Sequence, residues 1–171
     1  MANVGKVFEE QIKKSAPDYA LLYRLPDDAQ SFDRNSSLRF SKKNPFDFLL
    51  WDSKRHILYA LETKTVKNKS ISFERNKGEK KEIHYHQIKD LNDWNKYDGI
   101  ICGFIIEFRE IETTIFLEIS DFNILISKIT KKSFTLNDLI ENDIPYLVIS
   151  QMKKRTRYIY DMDGFLSQIK N

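Results

Sequence analysis

Short apolar, strand-forming runs interleaved with amphipathic helical segments predict a mixed α/β fold. Three observations carry that expectation. Two β-rich runs stand back to back, Pro45-Phe46-Asp47-Phe48-Leu49-Leu50-Trp51 and Ile57 through Val66, parted by the turn-forming Asp52-Ser53-Lys54-Arg55. Helical periodicity flanks them, at residues 3–15 and again at 84–95. The chain has 171 residues, 41% of them apolar and 13% aromatic, enough to bury the core of a single domain spanning 1–171.

Along the chain, Val4, Val7, Phe8, Gln11 and Ile12 fall at helical spacing, and Asn3 is placed to cap the helix they form. Tyr19–Leu25 reads as a short strand stopped by Pro26. Residues 26–44, rich in Asp, Ser, Asn, Arg and Lys, read as a polar loop, and the two strands of the hairpin follow at 46–52 and 57–66. The basic stretch 67–82 reads as a flexible loop. Beyond it come a helix at 84–95, strands at 99–108 and 113–119 joined through Arg109–Glu112, and helices around 120–130, 135–142 and 161–170. A short strand is expected near 156–160.

No stretch approaches the roughly 20 apolar residues of a membrane span, and the N-terminus lacks the apolar core of a signal peptide, so a cytoplasmic location is expected. One cysteine, Cys102, excludes an internal disulfide and any cysteine-rich zinc site; within Gly99-Ile100-Ile101-Cys102-Gly103-Phe104 it reads as a buried, inert thiol. The net charge is only +3, but it is segregated. Residues 64–89 carry eight Lys/Arg against three Glu, and 151–157 carry four positive charges and no acid. Residues 90–123 carry eight acids against two bases. One side facing a polyanion would account for this pattern, and so would an ordinary solvated surface.

The chemistry concentrates on a split acidic cluster. Asp47 sits near the start of one strand, and Glu62-Thr63-Lys64 lies late in the next. Antiparallel pairing brings both carboxylates to the same end of the sheet, and a period of two puts Glu62 and Lys64 on one face. Carboxylates inside apolar strands are costly unless a cation compensates them. Magnesium accepts one or two carboxylates, completed by waters, phosphate oxygens or carbonyls, and serves phosphodiester cleavage. Asp47 and Glu62, with the Thr63 carbonyl, form the candidate metal set, and Lys64 the group that orients water or offsets charge on the phosphate. The plain alternative is a structural ion pair between Asp47 and Lys64.

The ordered pattern resembles the PD-(D/E)xK nuclease superfamily: an N-terminal helix bearing an acid, then Pro45-Phe46-Asp47, then a strand ending Glu62-Thr63-Lys64. Within it the chain is similar to the RecU-type Holliday-junction resolvases. The carrying segments are Gly5-Lys6-Val7-Phe8-Glu9-Glu10, Leu61–Thr65, Ser70-Ile71-Ser72-Phe73, His84-Tyr85-His86-Gln87-Ile88, Gly99–Phe108 and Arg155-Thr156-Arg157-Tyr158. The resemblance implies a restriction-endonuclease-like mixed sheet flanked by helices. It also implies magnesium, with manganese as a substitute, branched DNA as partner, and a homodimer. Glu9, with Glu10 as the alternative register, matches a glutamate that supports the metal site. Gln87 matches a residue that holds water or phosphate; a helix-capping contact is its other reading. His84 and His86 read as an exposed pair, with phosphate contact by His86 as the alternative.

For backbone phosphates the candidates are Lys67, Lys69, Arg75, Lys77, Lys80 and Lys81, with a second patch of Lys153, Lys154, Arg155 and Arg157. Arg24 is a candidate phosphate clamp. Two departures from the family stand out. Resolvases of this type carry a long stalk ahead of the metal-binding Asp, where this chain has only residues 26–44, and Pro-Phe precedes the Asp where small polar residues are common. Cleavage of duplex or flap DNA by a restriction-like or repair endonuclease, and a non-catalytic DNA-binding module on the same fold, therefore stand beside junction resolution.

Overall fold

The computed structural model describes residues 3–26, 44–155 and 157–169. Most of the polar segment expected as a short loop at 26–44 lies outside the described residues; its ends are joined by Asn44 Nδ2 donating to the Pro26 carbonyl at 2.6 Å.

Helix α1 (Val4–Lys14) starts where Asn3 Oδ1 accepts the Gly5 N–H at 3.0 Å, satisfying a helix-end donor as its sequence position foretold. Phe8 and Ile12, four residues apart, form its buried stripe. Strands β1 (Ala20–Arg24), β2 (Phe48–Asp52) and β3 (Ile57–Val66) make an antiparallel meander. After β3 come β4 (Ser70–Ser72), α2 (Tyr85–Trp94), β5 (Ile100–Phe108) and β6 (Thr113–Glu118). They are followed by α3 (Ile119–Lys128), β7 (Ser133–Thr135), α4 (Leu136–Glu141) and β8 (Leu147–Ile149). Strands β9 (Gln151–Lys154) and β10 (Arg157–Tyr160) then form a hairpin, and α5 (Met162–Gln168) ends the described fold.

Six strands build the central sheet in the order β1-β2-β3-β5-β6-β8. All neighbours are antiparallel except β3 and β5, which run parallel from Leu58 beside Ile100 to Val66 beside Phe108. Parallel neighbours require a crossover, and α2 supplies it, so the C-terminal ends of β3 and β5 emerge together with the start of α2 nearby. The two strands are Val-, Ile-, Leu- and Phe-rich and buried on both faces, as a strand between two helical layers must be. Gly103 on β5 has no room for a side chain: a Cβ there would lie 2.5 Å from the Leu117 carbonyl oxygen.

Each sheet face has its own core. One gathers Phe46, Phe104, Phe122 and Phe134 with Ile88 and Leu91 of α2 and Leu125 of α3. The other gathers Phe48, Tyr59, Leu61 and Phe116 with Phe8 and Ile12 of α1 and Phe165 and Leu166 of α5. The α/β architecture, the hairpin and the order of the main helices and strands match the expectation. Cys102 is buried, and burial pushes its thiol up to about 12.

The segment 67–82 differs from the flexible loop expected of it. Its β4 pairs antiparallel with β7, joining Ile71 to Phe134, and Ile71 and Phe73 are fully buried. Two apolar residues, Ile71 and Phe73, proved enough to anchor it among many lysines, because β7, more than 60 residues on, completes the pairing. Strands β7, β8 and β9 were likewise not anticipated; three or four residues each carry too little period to show.

Candidate active site

Register places the two carboxylates as the hairpin argument required. Asp47 N–H donates to the Leu61 carbonyl at 3.1 Å, so Asp47 lies beside Glu62 and Thr63 at the end of the β2–β3 pair. Phe46 fixes the approach: its ring is buried and meets Trp94 edge-on, with centroids 5.0 Å apart. Asp47 Oδ2 accepts from the Thr63 N–H at 2.8 Å and the Thr63 hydroxyl at 2.7 Å. That contact leaves Asp47 Oδ1 without a hydrogen bond among the described residues.

Glu62 and Lys64 project together toward α2, as alternation predicts. Glu62 is 3% exposed. Its Oε1 is met by Lys64 Nζ at 2.9 Å and by the Gln87 side-chain amide. Gln87 is itself pinned, because its Oε1 accepts the His84 N–H at 2.9 Å at the start of α2. The helix-capping reading of Gln87 is thus the one formed, and the other end of the same amide holds Glu62. Burial lifts the Glu62 carboxyl to about 8; Lys64 opposes the rise, and the negative charges of Asp47 and then Glu9 add to it. Lys64 pairs with Glu62, so the ion pair between Asp47 and Lys64 weighed from the sequence is not the one formed.

Glu9 rather than Glu10 faces the site. Glu9 Oε2 accepts from Arg24 Nε at 2.6 Å, whereas Glu10 points to solvent and pairs with Lys14 one turn on. Arg24, expected as a phosphate clamp, thus spends its guanidinium on Glu9 and on the Leu25 carbonyl. A cleft of about 490 Å³ brings together Glu9, Asp47, Glu62, Thr63, Lys64 and Gln87, along with Asn3 through Gly5 at the start of α1. All five expected catalytic positions therefore share one cavity.

Glu82 also lines the cleft and had no sequence signal pointing there; His84, which opens the segment read as an exposed histidine pair beside Gln87, lines it too. Glu82 accepts the Ser72 N–H at 3.0 Å, and the His84 ring stacks on that of His86 with centroids 5.5 Å apart. Glu74 was missed as well. It is 5% exposed and accepts N–H groups from Lys80 at 2.7 Å and Tyr85 at 2.9 Å, tying the connection ahead of α2 to the helix start. A lone acid directly after buried Phe73 was its only trace in the sequence.

The remaining basic candidates divide. Lys67, Lys69, Lys77 and Lys80 are exposed and Lys81 is half-buried, while Lys153, Lys154, Arg155 and Arg157 are exposed on or beside the β9–β10 hairpin. Arg75 does something else. Its guanidinium donates to the carbonyls of Ile126 at 2.8 Å, Ile129 at 2.5 Å and Lys131 at 3.2 Å, capping the end of α3. The expectation that it tracks phosphates is corrected: those donors are committed to backbone.

The donor set can be tested against a cation from the charges themselves. Among the described residues four carboxylates line the cleft, Glu9, Asp47, Glu62 and Glu82, against one lysine, Lys64. Asp47 Oδ1 and Glu62 Oε2 are both without hydrogen bonds among the described residues. Among the described residues no three of His, Cys, Asp and Glu converge as a metal-binding group. A cation here would rest on two carboxylates completed by a carbonyl, waters and substrate oxygens, which suits magnesium and not zinc.

Fold and cleft together define a mixed α/β protein with a carboxylate–lysine site at the shared end of two parallel strands. No protein-family model matches the chain. It is 32% identical over 179 residues to the SPbeta prophage-derived uncharacterized protein YotM of Bacillus subtilis (strain 168), covering 98% of this chain and 87% of that relative. The chain belongs to the same family as this prophage protein. Among the described residues no helix is long and apolar enough to cross a membrane.

Proposed function

We propose that this protein is a magnesium-dependent, structure-selective DNA endonuclease of the PD-(D/E)xK type, acting in the cytoplasm as a homodimer on branched DNA such as four-way junctions. The observation that carries the reading is the buried Glu62, held by Lys64 and Gln87 in the same cleft as Asp47 and Glu9. A purely structural ion pair has no use for three further carboxylates around one lysine, since each adds repulsion.

Asp47 and Glu62, with the Thr63 carbonyl, would hold magnesium or, as a substitute, manganese. When bound, the ion supplies charge neutralisation at the scissile phosphate and acidifies water for attack. The protein's own groups do the positioning. Thr63 turns the Asp47 carboxylate so that one oxygen stays open to the cleft. Gln87 and Lys64 hold Glu62 through the same oxygen, Oε1, which leaves Oε2 to the cleft. Lys64 can leave Glu62 for a phosphate oxygen once substrate arrives, offsetting charge that grows there in the transition state. Exposed Lys67, Lys69, Lys77 and Lys80, on the segment that follows β3, would supply sequence-independent attraction to the backbone.

The test is cleavage of a synthetic four-way junction with magnesium, alongside a sequence-matched linear duplex and a flap. Nicks placed symmetrically on opposing strands are expected, as two active sites related by a twofold axis require. Asp47→Asn and Glu62→Gln are each expected to abolish nicking and to leave DNA binding in place. Wild-type cutting by either variant would overturn the assignment.

A further inference from the structure

The β9–β10 hairpin carries a cluster that the cleft does not use. Strand alternation puts Met152 and Lys154 on one face together with Arg157 and Ile159, and the register pairs Met152 with Ile159 and Lys154 with Arg157. All four are exposed, Met152 at 63% and Ile159 at 44%. The opposite face turns inward. There Tyr160 is buried, Lys153 Nζ lies 5.7 Å from the centre of the Tyr158 ring, and the Tyr158 hydroxyl donates to Glu112 at 3.0 Å. Among the described residues the outward face is an unpartnered apolar pair next to two cations, and residues 151–157 include no acid to neutralise them.

Hydrogen bonds tie this hairpin to the cleft end of the sheet. Glu107 is buried on β5, accepting from the Tyr160 hydroxyl at 2.9 Å through one oxygen and from the Thr65 hydroxyl at 2.5 Å through the other. Thr65 follows Lys64 and lines the cleft. Glu112, the partner of Tyr158, lies just past the end of β5, where β3 and β5 finish together.

Cations alone suffice to hold the phosphates of a regular duplex, whose base faces are stacked out of reach. Apolar side chains with no base-reading partner beside them gain most where stacking is interrupted and base or sugar surface is open beside phosphates. We propose that the β9–β10 hairpin recognises DNA with interrupted stacking, at a branch, nick or flap: Met152 and Ile159 lie against the unstacked surface, and Lys154 and Arg157 neutralise the flanking phosphates. This rests on the nuclease reading and names the feature of the substrate that the hairpin selects.

Binding of a four-way junction, a flap and a matched linear duplex is measured by fluorescence anisotropy in EDTA, with 2-aminopurine at the branch point reporting unstacking. Wild type is expected to prefer the branched molecules and to brighten the 2-aminopurine. M152A/I159A is expected to lose about tenfold of that preference, along with the fluorescence rise, at unchanged salt dependence. K154A/R157A is expected to weaken binding to all three DNAs and to lower the log–log salt slope by about 2. An unchanged branch preference in M152A/I159A overturns the proposal. So does preferential binding of phosphatidylserine vesicles over DNA, which would assign the face to an anionic membrane surface. Cleavage with magnesium, run in parallel, separates the two readings. Cutting with no effect of M152A/I159A removes only the hairpin's role, whereas branch preference without any cutting removes only the nuclease reading.

Discussion

Gln87 and Glu62 are joined by a hydrogen bond that crosses from the start of α2 to the end of β3, with the other end of the Gln87 amide fixed by the His84 N–H. The crossover that makes β3 and β5 parallel is what delivers α2 to this spot, so topology and chemistry meet in one amide. Gln87→Ala leaves Glu62 with Lys64 alone and frees the helix start. Supporting partners of this kind are worth about 10- to 100-fold in metal affinity or activity, so junction nicking should drop by that factor with the fold retained. A wild-type rate with saturating magnesium would show that Glu62 needs no such support.

Glu62 links stability to pH with a definite sign. Its folded-state pKa is raised to about 8 from an ordinary 4.5, so the folded protein binds the proton more tightly than the unfolded chain does. The group costs nothing below pH 4.5, costs progressively more as pH rises toward 8, and the full amount beyond. In EDTA, wild type should therefore lose stability relative to Glu62→Gln across that window, by on the order of a few kcal/mol. A divalent cation bound by the ionised carboxylate reverses the trend. Magnesium should raise the wild-type Tm more above pH 8 than below pH 4.5, and should do little for the variant. Melting curves in EDTA and in magnesium at both ends of the window decide it; equal magnesium effects at the two ends would exclude Glu62 as a ligand.

Glu74 works in the opposite direction. Its hydrogen bond from the Tyr85 N–H, helped by His84 and the Lys80 and Lys81 N–H groups against the cost of desolvation, holds the carboxyl down at about 2. A depressed acid contributes stability that is present above its ordinary 4.5 and is lost as pH falls toward 2. Glu74→Gln should therefore be destabilised at neutral pH and should converge with wild type in acid, as followed by circular dichroism. Because Glu74 ties down the start of α2, the variant should also nick more slowly, with the deficit in kcat rather than in DNA affinity. A variant as stable as wild type at neutral pH would remove Glu74 from this role.

What could be read from the sequence follows the range of the interactions. Asp47, Glu62 and Lys64 were legible because a tight turn fixes the register of β2 against β3, and two-residue alternation then fixes faces. Glu9 was reached only through the resemblance, which left Glu10 open as the alternative register, and the Arg24 contact is what separates the two. Strands β4 and β7 were not legible, since each pair joins residues about 60 positions apart with only three residues per strand. The same distance hid the role of Arg75. Its basic neighbours are exposed, and nothing local marks one guanidinium as the cap of a helix more than 50 residues away.

Arg75 gives the sharpest separation of structure from binding within the basic segment. Its guanidinium satisfies three carbonyls at and beyond the end of α3, groups that have no intrahelical partner. Arg75→Ala leaves them to water in a half-buried setting and should destabilise the fold by about 2–3 kcal/mol. The salt dependence of DNA binding should not change, because those donors never reach a phosphate. Lys67→Ala with Lys69→Ala should do the reverse: little change in Tm, with the log–log salt slope lowered by about 2 if both cations pair with phosphates. Urea denaturation and salt-titrated anisotropy on the same two variants provide the check. A salt slope lowered in Arg75→Ala with stability intact would mean that the guanidinium leaves α3 for DNA.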